Sequence, residues 1–232
     1  FFFFFAHVGF LKALEELNLK PISYSGTSAV AIVAAAAARG LTVNEIEKLI
    51  TGLSRKEFWD PYPGLGFLRG RKMQEILARE IGEDFSQLQF PLKIPVFDLT
   101  SRSTKVFTSG NLARIIRATC SVPFMFHPVK INRRFYLDGG IQDKMEIHGL
   151  DINEKILCHY LESGSRDPHS IYELKRDLQI LKVRGQNLIQ IQLKGLPKAH
   201  PFAMNRGPEI IQAAYVKAMA DLKPLVNTGL WV

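Results

Sequence analysis

Cysteine is nearly missing: Cys120 and Cys158 are the only two in 232 residues, far apart and outside any CxxC spacing. Neither a disulfide framework nor a cysteine zinc site is therefore encoded. Long apolar runs are missing too. The longest, Ala29 to Ala38, is ten residues, well short of the roughly 18 to 20 that a bilayer-spanning helix needs. Acids are outnumbered, 22 against 30 basic residues, for a formal net charge of +8. That excess favours anionic surfaces such as phosphate backbones or acidic lipid. The basic residues are scattered, however, and neither an RNP1 pattern nor paired zinc ligands accompany them, so no nucleic-acid partner is expected. A secretory leader would need a basic n-region and a cleavage site, and neither is visible. The expected location is cytoplasmic, with peripheral contact to an anionic membrane.

What is present reads as a globular chain: 47% hydrophobic and 22% charged residues, at a length that one domain over residues 1–232 accommodates. Helices are expected over Ala6 to Leu17 and Ser28 to Arg39, the latter stopped by Gly40. Thr42 with Glu45, and Ser54 with Glu57, have capping-box spacing. Pro61, Pro63, Gly64, Gly66 and Gly70 mark a loop before a helix over Arg71 to Ile81. A further helix covers Asn111 to Cys120, with Ser109 as its cap, and another lies near Ile171 to Leu181. A last one opens on Pro208 with Ile210, Ile211, Ala214, Tyr215, Ala218 and Leu222 on one face. Strands are expected at Ile22 to Ser25, Ile94 to Thr100 and Lys105 to Thr108. Others follow at Val129 to Ile131 and Phe135 to Leu137 around a turn at Asn132, then at Lys155 to Leu161 and Leu188 to Leu193. Strands alternating with helices imply an α/β fold in a single domain, a mainly parallel sheet flanked by helices on both faces.

Two short motifs can carry chemistry. Gly26-Thr27-Ser28-Ala29 stands between a strand and an alanine-rich helix, where a sharp turn would lift the Ser28 hydroxyl above the sheet beside a helix N-terminus. A plain helix cap reads equally well from these residues. Val30 departs from the G-x-S-x-G pattern, which wants glycine there, so strain at that position is an expectation. Tyr136-Leu137-Asp138-Gly139-Gly140 ends a strand with a carboxylate and two permissive glycines. Such an aspartate can reach a crevice and serve a serine as general base. As Asp-Gly-Gly alone it is an ordinary turn.

Together these blocks resemble the patatin-like phospholipase family. Ala6-His7-Val8-Gly9 running into Leu11-Lys12-Ala13-Leu14-Glu15-Glu16 is similar to the family's first helix. Phe107-Thr108-Ser109-Gly110 through Ile116-Arg117-Ala118-Thr119-Cys120-Ser121-Val122-Pro123 is similar to the segment before its aspartate, so the resemblance covers about residues 6 to 145. It implies that Ser28 is the nucleophile and Asp138 its base, acting on phospholipid or other acyl-lipid esters through an acyl-enzyme. No metal or organic cofactor is implied, and His7 is implied to be structural. The family's glycine-rich oxyanion loop would fall at Phe1 to Phe5, with Ala29 beside it. Five of the chain's 16 phenylalanines stand there instead. Losing one oxyanion donor costs about 10²- to 10³-fold in rate, so a weak or silent hydrolase is expected, with phenylalanine bulk beside the serine.

Two other readings share the residues. A Ser-Asp-His triad would draw its histidine from His148, His159, His169 or His200. A non-catalytic lipid-binding module would use the basic excess and the apolar segment Phe58 to Phe67, which holds Trp59, Tyr62, Leu65 and Phe67.

Overall fold

The computed structural model describes residues 4–143, 147–151, 154–161, 179, 188–196 and 204–228. The expected helix near Ile171 to Leu181 lies outside them. Helices α1 (Phe4–Glu16), α2 (Ala29–Ala38), α3 (Val43–Gly52), α4 (Arg55–Phe58), α5 (Arg71–Glu80), α6 (Leu112–Thr119) and α7 (Gly207–Asn227) alternate with short strands. The strands are β1 (Tyr24–Ser25), β2 (Gly66–Leu68), β3 (Leu92–Asp98), β4 (Ser103–Phe107), β5 (Phe124–Phe126), β6 (Val129–Ile131), β7 (Arg134–Asp138), β8 (Ile156–Leu161) and β9 (Leu188–Leu193).

Local chemistry sets most of these boundaries. Helix α2 is alanine-rich and buried at every position but Val30, and Gly40 follows it at φ 89°, in the left-handed region where glycine escapes the Cβ penalty. The Thr42 hydroxyl accepts from the Glu45 amide at 3.3 Å while the Glu45 carboxylate accepts from the Thr42 amide at 2.8 Å, which starts α3. The Ser54 amide donates to Glu57 at 2.6 Å. At α6 the cap is Asn111, whose side-chain oxygen accepts from the Arg114 amide at 2.9 Å. The expected Ser109 cap is thus corrected by two residues, because the chain enters the helix only after Gly110 turns at φ 96°.

The α/β class holds, and the sheet is mixed. Strand β3 is its centre, pairing parallel with β1 and antiparallel with β4 and β7, while β6 extends the sheet beyond β7. The expectation of a mainly parallel sheet gives way here for a geometric reason. Parallel neighbours need a crossover of a dozen residues or so, but β3 meets β4 across residues 99–102 and β6 meets β7 across Asn132 and Arg133 alone. Both turn residues have positive φ, 46° and 68°, the combination that matches hairpin twist. The parallel pair of β8 with β9 stands apart from this sheet.

The stretch expected to be loop at residues 61–70 contains β2, which pairs in parallel with β5 through Gly66 with Phe124 and Leu68 with Phe126. Three-residue strands carry too little periodicity to be seen without their partner. Helix α1 packs along α7 and against α3. Phe4 and Phe5 lie in its first turn, each only 1% exposed, and the Phe5 ring occupies the space where a side chain on Gly207 would sit. Among the described residues no helix is long and apolar enough to cross a membrane.

Candidate active site

Strand β1 delivers the chain to Gly26, whose amide still bonds the Lys93 carbonyl of β3 at 3.2 Å. The backbone then folds sharply into α2. A Cβ on Gly26 would lie 2.8 Å from the Ala31 Cα, so only glycine permits the return. Ser28 occupies the apex with φ 55° and ψ −130°, a conformation that costs a non-glycine residue on the order of 1–3 kcal/mol and persists where the surroundings enforce it. No side-chain cap bond to the helix is made by Ser28, which sets aside the reading of this serine as a plain cap.

Its hydroxyl turns instead to the end of β7. Ser28 Oγ donates to Asp138 Oδ2 at 2.7 Å, across 110 residues of sequence. Asp138 is held by the Gly140 amide, which donates to Oδ1 at 2.8 Å, and by its own amide, which donates to the Ser121 carbonyl at 3.0 Å. The next residue has no room for a side chain, since a Cβ on Gly139 would come within 2.4 Å of the Pro95 carbonyl oxygen. Burial pushes the Asp138 carboxyl up to about 6, against the lowering effect of the bonds from Ser28 and Gly140. A carboxylate of that strength is a far better proton acceptor at neutral pH than a solvated one. Cys120 is buried nearby, and burial pushes its thiol well above the usual range, so it remains protonated and does not compete as a nucleophile.

The sequence reading passed over Thr119. Its hydroxyl accepts from the Ser28 amide at 3.0 Å and donates to the Pro95 carbonyl at 2.7 Å. One buried side chain thereby ties the serine turn to the central strand. The signal was a hydroxyl-bearing residue inside the Ala118-Thr119-Cys120-Ser121 block, but nothing local says which backbone groups it meets. Thr119→Val leaves both partners unsatisfied, which costs roughly 1–3 kcal/mol. The expected result is a lower melting temperature together with a reduced rate on any ester that the parent cleaves, with the helical circular-dichroism signal retained. An unchanged rate in Thr119→Val would remove the residue from the positioning of Ser28.

Two expectations at the other motif positions change. Thr27 is buried, Ala29 opens α2, and as the first helical residue its amide has no intrahelical acceptor. Val30, expected to strain the turn, lines a cavity of about 250 Å³ together with His7, Phe10, Tyr24, Val33 and His159. The cavity accommodates its bulk. Phe4 and Phe5, expected at the oxyanion position, are core residues of α1, and Phe1 to Phe3 lie outside the described residues. Neither Ser28 nor Asp138 lines that cavity.

The candidate histidines among the described residues are engaged elsewhere. His7 and His159 meet through their Nδ1 atoms at 2.8 Å, and His159 stacks on Phe10 at 4.2 Å between ring centroids. Burial lowers His7 to about 4 and lowers His159 as well, so both are neutral packing groups at physiological pH. His148 Nδ1 lies 2.9 Å from Asp143 Oδ2. His169 and His200 lie outside the described residues. Among the described residues, the group in hydrogen-bonding contact with Ser28 Oγ is Asp138.

Comparisons with known proteins bear on the family and the fold. The family model described as patatin-like phospholipase matches residues 1–151. An uncharacterised NTE family protein of Mycobacterium tuberculosis is 27% identical over 146 residues, covering 61% of this chain and 40% of its own length. The uncharacterised protein YqhO of Bacillus subtilis is 27% identical over 177 residues, covering 61% of each chain. This chain thus spans between two fifths and about three fifths of those relatives. The crystal structure of VipD from Legionella pneumophila superposes with a TM-score of 0.62 at 16% identity, over 95% of this chain and 65% of VipD. With its family model matched across the segment that holds Ser28 and Asp138, the chain belongs to the patatin-like phospholipase family.

Proposed function

We propose that the protein is a serine acyl hydrolase that cleaves ester bonds of phospholipids or other acyl lipids through a Ser28–Asp138 dyad. Family and fold support a lipid hydrolase. The observation that carries the finer reading is the 2.7 Å bond from Ser28 Oγ to Asp138 Oδ2 on a turn whose serine has φ 55°. In the first step Ser28 Oγ attacks the ester carbonyl carbon while its proton passes to Asp138 Oδ2. The tetrahedral oxyanion forms beside the N-terminus of α2, where the Ala29 amide and the positive end of the helix dipole favour negative charge. Collapse expels the alcohol, which takes the proton from Asp138 and leaves acyl-Ser28. Water then attacks the acyl group, losing a proton to Asp138, and Ser28 Oγ is reprotonated as the fatty acid leaves.

A lipophilic alkyl fluorophosphonate tests the nucleophile without requiring fast turnover. The expected result is a single phosphonyl adduct in the intact mass, mapping to the peptide that contains Ser28 and missing in Ser28→Ala. An adduct on another serine, or labelling that survives Ser28→Ala, would sink the assignment.

A further inference from the structure

The β2–β5 ribbon holds apolar surface in solvent that the core does not need. Leu68 and Phe126 turn inward and are buried, whereas Leu65 is 77%, Phe67 55% and Phe124 88% exposed. Met125 and Tyr62 are exposed beside them, and the Trp59 ring stands edge-on to Phe67 at 5.4 Å between centroids. Phe124 is the least expected of the six. Its φ is 65°, in the left-handed region that a bulky side chain resists, and almost none of the ring is covered. Neither backbone preference nor burial favours phenylalanine at this position in water. A second, apolar medium would favour it.

The charge around the ribbon says which medium. Residues 56–72 hold four basic side chains, Lys56, Arg69, Arg71 and Lys72, against the two acids Glu57 and Asp60. The Arg69 guanidinium carbon lies 4.4 Å from the centroid of the Tyr62 ring. Aromatic and aliphatic groups bordered by arginine and lysine suit the headgroup layer of an anionic bilayer, where rings enter the acyl boundary and cations meet phosphate and carboxylate. The ribbon is also tied to the dyad. The Ser121 carbonyl that holds the Asp138 amide at 3.0 Å precedes Phe124, the first residue of β5, by three positions.

We propose that the β2–β5 ribbon, with Leu65, Phe67 and Phe124 at its centre, is the surface on which the protein docks to anionic phospholipid membranes. The proposal rests on the lipid hydrolase reading for its purpose, since the docked bilayer supplies the substrate, but not for its test. Flotation of the Ser28→Ala protein with phosphatidylcholine vesicles, with and without phosphatidylserine, keeps the vesicles undigested. The expected result is co-flotation with phosphatidylserine-containing vesicles that weakens as salt is raised, with at least a tenfold lower bound fraction for Leu65→Ser/Phe67→Ser. Phe124→Gly relieves the left-handed backbone, so its melting temperature should match or exceed the parent's while its bound fraction falls. Val216→Ser, at an exposed apolar position on α7, should bind as the parent does.

With Ser28 restored, the ratio of vesicle-phospholipid to p-nitrophenyl butyrate hydrolysis should fall at least tenfold in the ribbon variants. If neither ester is cleaved but flotation depends on the ribbon, the docking surface stands and the hydrolase reading fails. If the ribbon variants float as well as the parent, or the parent binds neither vesicle, the proposal is overturned. Self-association through the same residues without vesicle binding would likewise overturn it, assigning the face to a second copy.

Discussion

Ser28→Ala is expected to bring ester hydrolysis down to the rate in buffer, for soluble p-nitrophenyl butyrate and for phospholipid alike. The substitution removes one oxygen from a half-buried position and creates no cavity of consequence. Alanine tolerates the φ of 55° no better, and Asp138 loses the bond from Ser28 Oγ, so a stability loss of about 1–3 kcal/mol is expected at neutral pH with the fold kept. The loss of rate far exceeds what that change in stability would produce. Activity that persists in folded Ser28→Ala would mean that another group forms the acyl intermediate, and the dyad reading would not survive it.

Asp138→Asn should divide the two properties more sharply. The amide fits the same space but cannot accept the serine proton, and general-base contributions are typically about 10²- to 10⁴-fold. In the parent, the rate should rise with pH through about 6, where Asp138 ionises, and then level off. Stability should run the other way. An unfolded aspartate ionises near 3.9, and burial raises the folded value to about 6, so the native state binds the proton more tightly. The stabilising contribution is whole below the unfolded value and is lost as pH rises through the folded one. At pH 8 the parent keeps a buried charge that Asp138→Asn lacks, and a shift of this size corresponds to roughly 3 kcal/mol. Asp138→Asn should thus be the more stable protein at pH 8, by up to that amount, with the difference shrinking towards pH 4. Urea denaturation at the two pH values measures it. A parent as stable as Asp138→Asn at pH 8 would show that hydrogen bonds from Ser28 and Gly140 fully offset the burial of the charge.

How much of this was legible beforehand differs from element to element. Helices α2, α3 and α5 were visible because their signals are local: an alanine run closed by Gly40, a Thr42–Glu45 capping pair, a periodic stretch after Gly70. The hairpin at Asn132 was visible for the same reason. Strands β2 and β5 were not, because each holds three residues and exists only through its partner some sixty positions away. Phe4 and Phe5 looked like an obstruction at a loop and are the buried first turn of a helix, a role fixed by what packs over them.

By itself the sequence determined which residue types stand at the ends of which elements. It set a serine after Gly26 and Thr27 at the mouth of an apolar helix, and an aspartate before two glycines at the end of a strand. Backbone sterics and side-chain periodicity act within a few residues, and they suffice for that. Only the tertiary structure decided that Ser28 Oγ and Asp138 Oδ2 lie 2.7 Å apart, that Thr119 binds the serine turn to Pro95, and that His159 packs on Phe10. It decided as well that burial raises the Asp138 carboxyl. Those facts depend on groups brought together across 24 to 149 positions, and distance and desolvation in three dimensions are set by the packing of the whole sheet rather than by any stretch of chain.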